Sequence, residues 1–240
     1  MTKLSVNINK VATIRNARGG DYPNVIEFAK KCMEYGADGI TIHPRPDQRH
    51  IKFQDVEDLS QFLPIDNCEF NIEGYPDEYF IAMVLKYIPS QVTLVPDPPH
   101  ILTSDTGWDT IQKADFLRPI IAKFQHAGIR VSLFMDTDAD MIRKAKDLGA
   151  DRIEFYTGQY FKDYPVDKEK AVQCFVQANQ VALDCGLVVN AGHDLNLDNL
   201  KYFKDSIPNL AEVSIGHWLI SDCLYYGLQN VIPMYKRLLK

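Results

Sequence analysis

His43, His193 and His217 each close a short run of apolar and β-branched residues, Glu73 closes another, and Glu154 interrupts a fifth between Ile153 and Phe155. Histidine, with an ordinary pKa of about 6.5, gives and takes protons near neutral pH. A carboxyl held in a half-dry mouth keeps its proton to higher pH and becomes a usable acid or base. With His50 in the segment after His43, four of the six histidines fall at or just beyond such run ends. A lone histidine there is ordinarily a structural hydrogen-bonder; four converging on one face, with two glutamates, make a proton-transfer site.

Two of those histidines follow glycine, in Gly192-His193 and Gly216-His217. Glycine lets a main chain come close to a ligand, and backbone N–H groups at such turns suit phosphate. Lys10, Arg15, Arg18, Arg45 and Arg49 all fall in or just after the first two run ends, a local basic cluster in a chain whose net charge is −6. That overall balance argues against nucleic acid held by bulk electrostatics, while the cluster suits phosphorylated small molecules.

Eight β-type runs must position these groups: Leu4–Asn9, Gly39–His43, Glu69–Glu73, Gln91–Pro96, Arg130–Asp136, Arg152–Gly158, Leu187–Gly192 and Glu212–His217. The segments between are long enough for helices, and the alternation predicts a (β/α)8 TIM barrel, whose active sites lie at the C-terminal strand ends. At 240 residues the chain matches one such barrel, so a single domain over 1–240 is expected. Asp21 before Tyr22-Pro23 reads as an N-cap and Gly36 as the stop of the first long helix. The segment from Trp218 to Lys240 reads as the eighth barrel helix, broken near Pro233. The stretch from Asp97 to about Asp109, with Pro98-Pro99 and Gly107, is long for a strand-to-helix connection and is a candidate lid.

Several chemistries fit poorly. The histidines show no HxH or HxxxH spacing, so no metal is expected. No run contains a lysine for a Schiff base, and Ser214 has no GxSxG context. Five cysteines without a CxxC pair, no apolar leader and no apolar run of membrane-spanning length predict a reduced, cytoplasmic chain without a membrane partner.

The stretches VNINKVATIRNARGG, GADGITIHPRPDQRHI, FNIE, NAGH and IGH resemble the pyridoxine 5′-phosphate synthase family, from the first strand to the last. The resemblance implies condensation of 3-amino-2-oxopropyl phosphate with 1-deoxy-D-xylulose 5-phosphate to pyridoxine 5′-phosphate, phosphate and water. It implies no cofactor and a homo-octamer. It makes His43 and Glu73 proton acceptors, His193 a proton donor and Glu154 the transition-state stabiliser. Asn7, Arg18, His193-Asp194 and Gly216-His217 match positions contacting the aminooxopropyl phosphate, and Asn9-Lys10, Arg45, His50 and Thr103 those contacting the ketose phosphate.

Three departures touch substrate positions: Asn9-Lys10 where the family usually has Asp-His, Pro44 and Pro46 around Arg45, and Asp194 where a glycine is usual. They leave open a non-catalytic or altered-substrate barrel that binds phosphorylated metabolites. A carboxylate facing bound phosphate at ~6 Å would cost ~3 kcal/mol per unit charge at an effective dielectric of ~20. The Asp194 carboxylate is therefore expected to turn away, toward backbone N–H groups of a helix beginning at Leu195-Asn196-Leu197, while its main chain meets the ligand.

Overall fold

Along each strand the residues alternate between two destinations, and that alternation is the architecture. The computed structural model describes residues 1–63, 68–97 and 105–240. Eight parallel strands close into a barrel in chain order: β1 (Lys3–Asn7), β2 (Gly39–Ile42), β3 (Glu69–Gly74), β4 (Gln91–Leu94), β5 (Arg130–Met135), β6 (Arg152–Tyr156), β7 (Val188–His193) and β8 (Leu210–Ile215), with β8 paired back to β1. The helices around them are α1 (Asn9–Arg18), α2 (Val25–Glu34), α3 (Phe53–Phe62), α4 (Glu78–Tyr87), α5 (Ala114–His126), α6 (Ala139–Asp147), α7 (Gly158–Asp163), α8 (Lys168–Asp184), α9 (Leu200–Ser206), α10 (His217–Tyr226) and α11 (Leu228–Leu238). No described helix is long and apolar enough to cross a membrane.

The outward row is apolar and fully buried: Leu4 and Val6, Ile40 and Ile42, Phe70 and Ile72, Val92 and Leu94, Val131 and Leu133, Ile153 and Phe155. It packs beneath the helices, and each such side chain stabilises the fold by ~1.5–3 kcal/mol. The inward row is polar. Ser5 and Thr41 hydroxyls share a hydrogen bond of 2.7 Å, Asn71 Nδ2 donates to Thr41 Oγ1 at 3.4 Å, and Thr93 Oγ1 donates to Asn71 Oδ1 at 3.1 Å. A barrel interior is ordinarily filled by branched aliphatics. From β1 to β4 these cross-strand bonds offset the burial of hydroxyls and amides, whereas Ser132 Oγ, Asn190 Nδ2 and Ser214 Oγ on the later strands are buried without such a bond.

Several boundaries differ from the sequence expectation for local reasons. The first strand ends at Asn7, not Asn9: Asn7 Oδ1 accepts the Asn9 N–H at 3.1 Å, and Asn9 opens α1. Asn24, not Asp21, caps α2, accepting the Glu27 N–H at 2.8 Å, while Asp21 accepts from Asn24 Nδ2. The C-terminal segment breaks at Gly227, whose φ of 77° suits glycine, and α11 runs on through Pro233.

The long connection after β4 is anchored where it is described. Asp97 pairs with Arg45, Gly107 N–H donates to Asp136 at 2.9 Å, and the buried Trp108 indole donates to the Leu94 carbonyl at 2.9 Å. The rest of the candidate lid, residues 98–104 with Thr103, lies outside the described residues.

Candidate active site

The inward parity that gives Ser5, Thr41, Asn71 and Glu154 their place also delivers Asn7, His43, Glu73, Val95, Phe134, Ser214 and Gly216 to the C-terminal mouth. There they line one cavity of about 560 Å³ with Asn9, Lys10, Thr13, Arg45, Arg49, His50, Glu154, His193, Asp194 and His217. That volume falls within the ~300–1,000 Å³ usual for small-molecule sites.

Burial, reinforced by Arg45, His50 and Arg49, pushes His43 well below the ordinary imidazole value, so its ring is neutral at pH 7. Burial likewise brings His50 down to about 4, with Arg45 and Lys10 contributing. The Ile51 N–H donates to His50 Nδ1 at 3.0 Å, which leaves Nε2 as the protonated nitrogen of that neutral ring. His43 is held from behind, its N–H donating to Asn9 Oδ1 at 2.9 Å. Asn9 thus supports His43 through its side chain while opening α1 through its backbone.

The glutamates shift the other way. Burial raises Glu73 to about 8, against the pull of Arg45 and with the push of Glu212. Asn7 Nδ2 donates to its Oε2 at 3.3 Å. Glu154, 3% exposed, is raised well above the carboxylate range, by burial first and Glu73 second. Its side chain faces the cavity rather than a helix. A Cβ at position 192 would collide with Glu154 Oε1 and lie 2.9 Å from the Ser214 carbonyl. Gly192 is therefore needed to seat this carboxyl, a reason distinct from ligand approach.

His193 breaks the alternation. Strand geometry would turn it outward with Val189 and Ala191, but its backbone leaves the extended region at φ 87° and the imidazole lines the cavity. A left-handed conformation at a non-glycine residue costs ~1–3 kcal/mol and persists only where neighbours impose it. One neighbour is Asp194, whose Oδ2 lies 2.9 Å from His193 Nδ1 and whose Oδ1 accepts from Trp218 Nε1 at 3.2 Å. Tyr156 packs edge-on against the same ring at 5.1 Å. Burial raises the Asp194 carboxyl, but the bonds from His193 and Trp218 and the nearby His217 outweigh it and leave it below the usual value.

The Asp194 carboxylate therefore does turn to internal donors, but not to those expected. The next helix begins at Leu200, not Leu195, and the turn before it is held by Asn196 and Asn199, which exchange side-chain bonds with each other's backbone. With those N–H groups taken, Asp194 reaches sideways to His193 and to the first turn of α10.

Other basic residues have separate duties. Arg15 is buried in a two-pronged pair with Asp55, at 2.5 and 2.8 Å, and faces away from the cavity. Arg18, the exposed last residue of α1, stands outside the cavity wall. Arg49 lines the cavity and is also bound to Asp47 at 2.6 Å; sequence reading placed it in the basic cluster without assigning it a substrate. Val95, Phe134 and Ser214 were readable only from the parity of their strands. Among the described residues no cluster of three or more His, Cys, Asp or Glu has metal-holding geometry.

Comparison with known proteins follows the same lines. The family model for pyridoxal phosphate biosynthesis protein PdxJ matches residues 4–240. A protein of Bacteroides fragilis named pyridoxine 5′-phosphate synthase is 57% identical over 240 residues, covering 100% of both chains. Proteins of the same name from Parabacteroides distasonis and Christiangramia forsetii are 56% identical over 236 residues, covering 98% of both chains, and 52% identical over 240 residues, covering 100% of both. Among solved structures, a phosphoribosyl anthranilate isomerase superposes with a TM-score of 0.61 at 14% identity, covering 100% of this chain and 98% of that one. A 4-hydroxy-2-oxoglutarate aldolase does so with 0.62 at 15%, covering 99% and 94%. Those two likenesses speak for the barrel alone. The match from the first strand to the last residue, with relatives more than half identical over their whole length, decides the family: this chain belongs to the PdxJ family of pyridoxal phosphate biosynthesis proteins.

Proposed function

We propose that the protein is a pyridoxine 5′-phosphate synthase, joining 3-amino-2-oxopropyl phosphate to 1-deoxy-D-xylulose 5-phosphate by acid–base catalysis. One observation carries the reading: His43, Glu73, Glu154 and His193 come from four different strands into one cavity, between a rim of Lys10, Arg45, Arg49 and His50 and the start of α10 at His217.

The chemistry asks for such a set. An amine adds to a ketone, a C–N bond forms, and the carbonyl oxygen must leave as water. That requires a base to strip the nitrogen and an acid to protonate the departing oxygen. His43, neutral at pH 7, is ready to accept. Glu73, with its carboxyl raised to about 8, rests protonated at neutral pH and accepts only after giving its proton up, so it serves both halves of such a step. Glu154 adds a second buried carboxyl able to bond to a developing charge. The substrate supplies its own amine, so no Schiff-base lysine is needed; of the nearby lysines, Lys3 stands at the barrel floor beside Glu69 and Lys10 in the cavity wall among the phosphate-binding cations. Arg45 and Lys10 suit the ketose phosphate, and the N–H groups at the start of α10 suit the other phosphate. Arg18 and Thr103 join as ligand contacts in this reading, and the molecule works as a cytoplasmic homo-octamer without a cofactor.

The test is turnover. Chelator-treated protein given both phosphates is expected to form pyridoxine 5′-phosphate without added metal. No product, or product only after a divalent ion is restored, would overturn the reading.

A further inference from the structure

His193 reaches the cavity only because its backbone is turned over, and the residue that holds its ring in that posture is the one where the family usually has glycine. The Asp194 carboxylate spends both oxygens on this task, Oδ2 on His193 Nδ1 at 2.9 Å and Oδ1 on Trp218 Nε1 at 3.2 Å. Its backbone carbonyl accepts from Asn199 Nδ2 at 3.2 Å, so the residue is held on three sides. Trp218 is in turn packed against Phe161 at 5.1 Å and His217 at 5.6 Å. One carboxylate thus ties the end of β7 to the first turn of α10, the two glycine–histidine strand ends of the site.

We propose that Asp194 is a positioning residue that fixes the His193 imidazole with Nδ1 protonated toward the carboxylate and Nε2 left for the substrate. The chemistry follows from the acceptor. A carboxylate takes hydrogen bonds and gives none, so the nitrogen beside it must carry the proton. In the neutral ring Nε2 is then an acceptor, and it can donate only from the imidazolium, the cation whose charge the adjacent carboxylate opposes. A histidine oriented by a carboxylate on its far nitrogen is a recurring device for holding one tautomer during proton transfer. This assignment also answers the charge problem at position 194. With one oxygen bonded to His193 and the other to Trp218, the acidic side chain is satisfied within the protein at a position where a glycine is usual.

The inference rests on His193 acting in the proposed condensation, and the experiment separates the two. Asp194→Asn keeps the shape but lets the amide either accept from Nδ1 or donate to it. Its kcat is expected to fall about tenfold or more while both KM values stay within about threefold, the pattern of a lost transition-state interaction. Trp218→Phe, which frees one oxygen and keeps the other, is expected to give a smaller loss of kcat in the same direction. Nitrogen-15 NMR of the labelled protein, with His193 identified by the signals lost in His193→Gln, reads the tautomer directly at a pH where the ring is neutral. Wild type is expected to carry the proton on Nδ1 and Asp194→Asn to show a mixture. Wild-type His193 protonated on Nε2, or Asp194→Asn with unchanged kcat and an unchanged nitrogen spectrum, would overturn the proposal. Should wild type form no pyridoxine 5′-phosphate, the condensation reading fails, and the nitrogen spectra alone decide whether Asp194 orients the ring.

Discussion

Glu69 and Glu73 stand four residues apart on β3, both turned into the barrel, and they live in different electrostatic worlds. At the floor, Glu69 takes the Arg130 guanidinium, with Arg152 at 3.7 Å and Lys3 at 3.9 Å beyond it. At the mouth, Glu73 has the Asn7 amide, and there burial outweighs the pull of Arg45, while burial and Glu73 together raise Glu154. The cations of the mouth, Lys10, Arg45 and Arg49, gather along its rim instead. A neutralised carboxylate is a structural part; a buried carboxyl left short of countercharge holds its proton into the neutral range and can trade it. The same residue type on the same face of one strand is thus structural at one end and chemical at the other. Glu212 is an intermediate case. It is 1% exposed, with one oxygen unpartnered, and burial together with Glu69 raises it to about 8 against the pull of Arg152.

The sharpest way to break this comparison is to neutralise one acid at each end. Glu73→Gln should cut kcat by ~10²–10⁴-fold with little change in either KM, since it removes the exchangeable proton and keeps the shape. A near-normal kcat with a raised KM in steady-state assays would make Glu73 a binding residue instead. Glu69→Ala should do the reverse. It strands Arg130 and the mostly buried Arg152, and breaking such a pair costs ~3–5 kcal/mol, toward the lower figure here because Arg130 is partly exposed. Urea unfolding should show that loss, while kcat per folded molecule stays close to wild type.

Glu212 sharpens the comparison through pH. Its folded pKa of about 8 lies above the ordinary glutamate value of 4.5. Between those values the folded state holds a proton that the unfolded chain has released. Stability attributable to this group is therefore greatest below the lower value and falls as pH rises through the window, by at most ~1.4 kcal/mol per pH unit. Glu212→Gln, which cannot ionise, should match wild type near pH 5 and exceed it near pH 8 in urea midpoints. A variant whose stability tracks wild type across that range would show that Glu212 is already ionised.

The smallest effects belong to the rim. Arg45→Lys keeps charge but loses the planar fork, and its KM for the ketose phosphate should rise about tenfold. Arg18→Lys, outside the cavity wall, should raise KM for the aminooxopropyl phosphate by only about threefold. At the floor, Arg130→Lys should move neither. Equal losses for both substrates in the Arg45 and Arg18 variants would sink the division of labour.

Much of this molecule is legible in its residues. Strict alternation in runs such as Leu4–Asn7 and Phe70–Glu73 sets which side chains face the helices and which face the barrel axis, because a strand's period is two whatever surrounds it. Eight such runs with helices between leave few ways to bury the apolar rows, and the strand-end histidines and glutamates arrive at one mouth by geometry alone. Helix caps were less legible: Asp21 and Asn24 are both good caps, and only the path of the chain into α2 selects Asn24. What the linear order could not contain is the environment of each charge. Arg15 and Arg45 look alike in a basic cluster, yet Arg15 is paired with Asp55 away from the cavity and Arg45 with Asp97 in the cavity wall. Asp194 and Trp218 are 24 residues apart in sequence and meet only when β7 and β8 pair. Side-chain direction follows from local backbone sterics, so the sequence determines it. Ion pairing and pKa depend on distances between residues far apart in the chain, and only the closed barrel decides those.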